Sequence, residues 1–303
     1  MTLVLVPHPR GQEYLADVPG VETLVYDATR SLPEGAEEAE VLVPPFLATG
    51  EAVALARRLP KLQLVQLLTA GADAWVGNLP EGVALSDGKG AHSAATAEWV
   101  VAVLLAVYRE IPGFVRAQER GEWTQHPTEG LAGKRVLVVG AGDVGDHVVR
   151  RLEPFEVSTT LVGRRARDGV HAIGEVHELL PQHDACVLIV PLTDETRGLV
   201  DAGFLAAMPD GALLVNGARG PVVDTDALLA ELQGGRLRAA LDVTDPEPLP
   251  AGHPLWEAPN LLITPHVGGS VPAALSRAFT VAAEQIGYFA RGEQPPNLVR
   301  GSY

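Results

Sequence analysis

Sulfur is almost missing from this chain: one cysteine, Cys186, and two methionines occur in 303 residues. A lone cysteine excludes an intrachain disulfide framework and a cysteine-built zinc site, and no metal is expected. Its setting, DACVLIV (184–190), reads as a buried strand, so Cys186 is expected in the core rather than as a nucleophile. Positive charge is also short. Lysine and arginine total 23 against 38 acidic residues, a formal net charge of -15, and only 3 of the cations are lysines. Such a surface repels phosphate backbones and excludes nucleic acid as a general partner. Long apolar runs are lacking as well. The longest, WVVAVLLAVY (99–108), falls short of the roughly 20 residues a membrane helix needs. The start, MTLVLVPHPRGQEY, lacks the basic segment and cleavage site of a signal peptide. A cytoplasmic protein without a membrane partner is expected.

What is present is an alternation. Apolar residues make up 47% and charged residues 20%, which suits a globular protein with substantial cores. Strand-like runs LVLVP (3–7), ETLVYD (22–27), AEVLVPP (39–45), LQLVQLL (62–68) and VALS (83–86) are separated by helical patterns such as GEAVALARRLP. A long helical stretch is expected from about Ala94 to Arg120. A second series follows: RVLVVG (135–140), VSTTLVG (157–163), ACVLIVP (185–191), ALLVNG (212–217), RAALDV (238–243) and LLITPH (261–266). A last helix is expected over Pro272 to Arg291. Alternating strands and helices favour α/β architecture with parallel sheets. The expected domains are residues 1–95, completed by 272–303, and residues 96–271.

Gly140-Ala141-Gly142-Asp143-Val144-Gly145 stands between the strand RVLVV and the helical run DHVVRRL. In that setting GxGxxG is a dinucleotide-binding signal. Its glycines serve a tight turn, the approach of a pyrophosphate, and close helix–strand packing, with the helix N-terminus facing the phosphates. The end of the next strand distinguishes NAD from NADP. An acidic residue there binds the ribose 2′-hydroxyl, whereas arginine accepts a 2′-phosphate. Here Gly163 occupies that place, Arg164 and Arg165 follow, and no acid lies between Val157 and Arg167. NADP(H) is therefore expected over NAD(H).

Three polar residues follow apolar strands downstream: Arg219 in NGARG, Glu247 in LDVTDPEPLP and His266 in TPHVGG. Open α/β sheets bind ligands at strand carboxyl ends, so these residues are expected to converge. Reduction of a 2-keto acid needs such a group. Arginine offers a planar fork to a carboxylate. Histidine titrates near neutrality and exchanges a proton in either direction. A neighbouring carboxylate orients the ring and favours imidazolium.

The order of these segments resembles the D-2-hydroxyacid dehydrogenase family. The resemblance also includes LLTAGADAW (67–75), ATAEWVVAVLLAVYREIP (95–112), PLTDETRGLV (191–200) and HPLWEAPNLLITPHVGGS (253–270). It implies a Rossmann-type dinucleotide-binding domain plus a smaller flavodoxin-like α/β substrate domain. It implies His266 as acid/base, Glu247 as its partner and Arg219 as the substrate-binding arginine. Ala70 and Gly71 would offer backbone N–H groups to the substrate carboxylate. Pro191, Thr196, Gly217, Ala218, Asp242, His266, Gly268 and Gly269 would line the cofactor site. Homodimers are usual in the family, and Trp123 is similar to a tryptophan that reaches the partner's active site in some members. LDVTxPEPLP and the GRR segment are most similar to glyoxylate and hydroxypyruvate reductases. Glu247 argues against formate dehydrogenases, which carry glutamine there. Phosphoglycerate or phosphite dehydrogenase, with Lys89 as a candidate for binding a phosphorylated substrate, and a nucleotide-sensing corepressor-like protein remain as alternatives.

Overall fold

Thr2–Val6 forms strand β1, in which Val4, Leu5 and Val6 are wholly buried. A strand apolar on both faces needs a layer on each side, as parallel sheets have. After β1 come α1 (Pro9–Leu15), β2 (Val21–Val25), β3 (Val41–Leu42), α2 (Gly50–Ala56), β4 (Leu64–Gln66) and β5 (Ala84–Ser86). The computed structural model describes residues 1–46 and 50–300. Among the described residues these strands form a parallel sheet in the order β2-β1-β3-β4-β5, the flavodoxin-like sequence. Alternate residues feed opposite cores. Leu5, Leu42 and Val65 pack with Ala52, Leu55 and Ala56 of α2, while Val4, Val6, Val41 and Leu64 pack with Leu15 of α1.

The chain continues with α3 (Ser93–Tyr108) and α4 (Ile111–Glu119). The sequence suggests one helix through this region, and the structure divides it. Pro112 has no N–H to give the Tyr108 carbonyl, so a helical ladder loses its bond there. Glu110 adopts a left-handed φ of 52°, and Pro112 falls in the first turn of α4, where its missing donor is harmless.

Then follow β6 (Arg135–Val139), α5 (Asp143–Leu152), β7 (Ser158–Gly163), β8 (Val170–Ala172), α6 (Val176–Leu179), β9 (Ala185–Leu188), α7 (Ala202–Ala207), β10 (Leu213–Asn216), α8 (Thr225–Gln233), β11 (Arg238–Leu241) and β12 (Leu261–Ile263). Among the described residues they build a second parallel sheet, β12-β11-β10-β9-β6-β7-β8. Its order reverses between β6 and β9, the switch point at which Rossmann-type sheets hold dinucleotides. Val136, Val138, Val187 and Val215 face α3 and α5. Leu137, Val139, Leu188 and Leu214 face Phe204, Leu205, Leu228 and Leu232 of α7 and α8. Cys186 lies in that second core, and burial pushes its thiol up, away from the reactive thiolate.

The last helix, α9 (Ala274–Ala290), returns to the first sheet. Its Ala278, Phe279, Ala282 and Ile286 share a core with Val4 and Val6, and Phe279 stacks on Tyr14 with ring centroids 6.0 Å apart. Gly11 makes room, since a Cβ there would stand 2.8 Å from Val6 Cβ and 3.1 Å from the Phe279 ring. Internal contacts divide the chain into Met1–His92 with Val271–Tyr303, and Ser93–Ser270. Among the described residues no helix is long and apolar enough to cross a membrane.

Candidate active site

The glycine-rich turn joins β6 to α5, and each glycine has a distinct reason. Gly140 has φ 126°, and a Cβ there would stand 2.2 Å from the Ile189 carbonyl oxygen. A Cβ on Gly145 would stand 2.0 Å from the Gly140 carbonyl oxygen, so this glycine sets how tightly α5 packs on the turn. A Cβ on Gly142 would meet nothing within 4 Å, which leaves open space before the helix. Gly142 caps α5 without a side-chain hydrogen bond, and Asp143 and Val144 open the first turn. Free N–H groups with open space before them suit a pyrophosphate. The Asp143 carboxylate is a departure from that electrostatic logic. Its Oδ2 is buried without a hydrogen-bond partner, and its Oδ1 lies 4.0 Å from His147 Nε2.

Strands β10, β11 and β12 are adjacent, with Asn216 paired to Leu241 and Leu241 to Ile263. The segments bearing Arg219, Glu247 and His266 therefore leave one edge of the sheet side by side. Asn216 shapes the first. Its Oδ1 accepts from Ala218 N at 3.0 Å and its Nδ2 donates to the Arg219 carbonyl at 3.1 Å. Arg219 donates from Nη1 to the Ala218 carbonyl at 2.7 Å. A Cβ on Gly220 would stand 1.9 Å from the Thr244 carbonyl oxygen, so the Arg219 turn lies directly against the loop that leads to Glu247. That loop holds His266. Nδ1 of its ring is 2.6 Å from Glu247 Oε1, with both side chains 39% exposed. A carboxylate only accepts, so Nδ1 carries the proton in this pair and Nε2 remains for exchange with a substrate.

His266 has a left-handed φ of 53°, unusual for a residue with a side chain. Asp242 holds it there. Its carbonyl accepts from His266 N at 2.7 Å, its Oδ1 from Thr264 Oγ1 at 2.6 Å and Val267 N at 2.9 Å, and its Oδ2 from Gly268 N at 2.7 Å. Asp242 is thus a buried anchor of the histidine turn, a role its sequence position does not reveal. Trp99 of α3 supports the same turn by donating from Nε1 to Thr264 Oγ1 at 3.0 Å. Gly217 and Gly268 accommodate that indole. A Cβ on Gly217 would lie 3.2 Å from it and a Cβ on Gly268 3.4 Å from it, and Gly269 completes the turn.

The segment after β9 closes on itself, as Thr196 Oγ1 donates to the Pro191 carbonyl at 2.6 Å. Arg164 and Arg165, after β7, are exposed, and Arg164 pairs with Glu195 at 2.7 Å. Arg167 was not singled out by sequence reasoning. Its Nη2 donates to the Ala141 carbonyl at 2.5 Å, which brings its guanidinium to the glycine-rich turn. Nothing in the sequence short of the Asp168-Gly169 turn signal hints at that. In the first unit, Ala70 and Gly71 lie in a partly buried loop after β4, where Thr69 Oγ1 donates to the Gly71 carbonyl at 3.3 Å. A Cβ on Gly88 would stand 2.8 Å from the Leu68 carbonyl, so Gly88 permits its segment to lie against this loop.

The family model described as D-isomer specific 2-hydroxyacid dehydrogenase, NAD binding domain, matches residues 101–268. D-3-phosphoglycerate dehydrogenase of Methanocaldococcus jannaschii is 32% identical across 99% of this chain and 59% of its own length. Glyoxylate reductase/hydroxypyruvate reductase of Homo sapiens is 35% identical across 68% of this chain and 66% of its own. The chain therefore spans less than two thirds of either curated relative. A crystal structure of D-isomer specific 2-hydroxyacid dehydrogenase from Xanthobacter autotrophicus Py2, in complex with NADPH and MES, has a TM-score of 0.82 at 33% identity, covering 99% of this chain and 98% of that one.

Proposed function

The chain belongs to the D-isomer specific 2-hydroxyacid dehydrogenases, and on that premise we propose that it reduces small 2-keto acids of the glyoxylate and hydroxypyruvate class with NADPH. The observation that carries this reading is the 2.6 Å His266–Glu247 pair at the carboxyl edge of the dinucleotide-binding sheet. When bound, the nicotinamide supplies a hydride to the carbonyl carbon. His266 gives a proton from Nε2 to the carbonyl oxygen, and the Glu247 carboxylate stabilises the imidazolium that precedes that transfer. Arg219 presents its fork to the substrate carboxylate and polarises the carbonyl as charge develops. Backbone N–H groups at Ala70 and Gly71 are the first unit's candidates for binding the substrate carboxylate. In the reverse direction His266 removes the proton.

Support for NADP(H) over NAD(H) comes from Gly163 at the end of β7, with Arg164 and Arg165 after it. The Xanthobacter structure, described as a complex with NADPH, is a relative that takes the phosphorylated cofactor. The same reading makes residues 1–95 with 272–303 the substrate domain, and the protein a cytoplasmic homodimer. Sedimentation velocity tests the dimer. A phosphorylated keto acid is the second substrate class, favoured by the archaeal phosphoglycerate dehydrogenase relative. Lys89, exposed beside β5, is its candidate phosphate contact.

A steady-state screen of glyoxylate, hydroxypyruvate and 3-phosphohydroxypyruvate with each cofactor tests these points together. The highest kcat/KM is expected with glyoxylate or hydroxypyruvate and NADPH. Preference for the phosphorylated acid would move the assignment to the second class. A clear preference for NADH would overturn the cofactor reading. Nucleotide binding without turnover of any keto acid would favour a sensing protein.

A further inference from the structure

Gly163 ends β7 where an acidic side chain selects a free ribose 2′-hydroxyl. The surroundings of that glycine show what replaces the acid. A Cβ built on Gly163 would lie 3.3 Å from Arg167 Nη1 and 3.4 Å from Ala141 Cβ. The guanidinium of Arg167 therefore borders the space that an aspartate would enter, and its Nη2 is tied to the Ala141 carbonyl of the glycine-rich turn. Arg167 is also fixed along its backbone. It exchanges hydrogen bonds with Val170 at 3.0 and 2.9 Å around the Asp168-Gly169 turn, where Gly169 has φ 69°. A guanidinium placed in advance loses less freedom on binding an anion than one on a loose segment.

Arg164 is placed differently. Its Nη2 is paired with the Glu195 carboxylate at 2.7 Å, so its charge already has a counterion. A 2′-phosphate approaching Arg164 would meet the negative charge of that carboxylate beside it. Arg167 gives its bond to a neutral carbonyl, which leaves its full charge and its other N–H donors for a phosphate.

We propose that Arg167 is the residue that distinguishes a 2′-phosphorylated adenine nucleotide from one with a free 2′-hydroxyl, and that Arg164, held by Glu195, contributes less. This deepens the NADP(H) reading and rests on it. Calorimetric titration with 2′,5′-ADP and 5′-AMP tests it without turnover. Wild-type protein is expected to bind 2′,5′-ADP at least about tenfold more tightly than 5′-AMP. Arg167→Gln is expected to weaken 2′,5′-ADP by about tenfold or more while leaving 5′-AMP within about twofold, which also shows that the site is intact. Arg164→Gln is expected to weaken 2′,5′-ADP by about threefold or less. A greater loss in Arg164→Gln than in Arg167→Gln overturns the inference, as does an equal loss of both nucleotides in Arg167→Gln. Discrimination that survives Arg167→Gln overturns this inference alone. Wild-type protein that fails to discriminate overturns the NADP(H) reading and the inference with it.

Discussion

His266 combines a side chain suited to proton exchange with a backbone conformation that side chains disfavour. Positive φ values of this kind cost of order 1–3 kcal/mol and persist where surrounding bonds enforce them. Asp242 supplies those bonds, through both carboxylate oxygens and its carbonyl. We predict that His266→Ala lowers kcat by roughly 10²–10⁴ while NADPH affinity, read by fluorescence titration, stays within about twofold. A variant with normal kcat would refute the assigned acid/base. Gly220 makes a prediction of another kind. Its added Cβ would meet the Thr244 carbonyl oxygen at 1.9 Å, a backbone atom with little room to yield. Gly220→Ala should lower stability by about 2–4 kcal/mol in urea unfolding, and a loss below about 0.5 kcal/mol would mean that the two loops separate readily.

The elements were legible in the sequence where burial and periodicity agree. β6, β9 and β10 are apolar on both faces and read directly from RVLVV, ACVL and LLVN. Elsewhere the pattern was blind to geometry. The division between α3 and α4 depends on the left-handed turn at Glu110, which apolar spacing does not register. β8 has three residues and exists because the Asp168-Gly169 turn folds the chain back beside β7. The candidate site divides in the same way. The glycines and the trio could be read from residue type and order, whereas Arg167 and the anchoring role of Asp242 depend on contacts across 26 and 25 positions. Helix ends also depend on distant partners. Arg236 donates from Nη1 to the Met208 carbonyl at 2.7 Å and from Nη2 to the Leu205 carbonyl at 2.6 Å, at the carboxyl end of α7, and pairs with Glu231 of α8. A cation there satisfies terminal carbonyls and complements the helix dipole. Arg236→Ala should cost about 1–3 kcal/mol in chemical denaturation, and an unchanged midpoint would show the cap to be dispensable.

At the scale of the whole molecule, the first unit is assembled from two stretches far apart in the chain. Asp87 stands where they meet. Its carbonyl accepts from Gln66 Nε2 at 3.0 Å and from Asn297 Nδ2 at 3.2 Å. Burial raises its carboxyl from 3.8 to about 6, against the opposing hydrogen bond from Lys89 N and the Lys89 charge. A carboxyl raised on folding favours the protonated native state. Its stabilisation is complete below 3.8 and is lost as pH rises through about 6. Asp87→Asn should therefore gain in Tm relative to wild type as pH goes from about 4 to about 7, with most of the gain complete just above pH 6. A Tm difference constant across that range would show that the shift does not act on stability.

The division of the first unit around Ser93–Ser270 also sets an order of events during synthesis. Residues 1–92 leave the ribosome before the helix that carries Phe279, Ala282 and Ile286 has been made, and the apolar face of Val4 and Val6, covered in part by Leu15 of α1, lacks the rest of its cover until that helix arrives. The uninterrupted middle segment has no such dependence. On a growing chain the middle segment has all of its partners before the first unit does, and the stretch that lacks them longest is the part on which a chaperone would act.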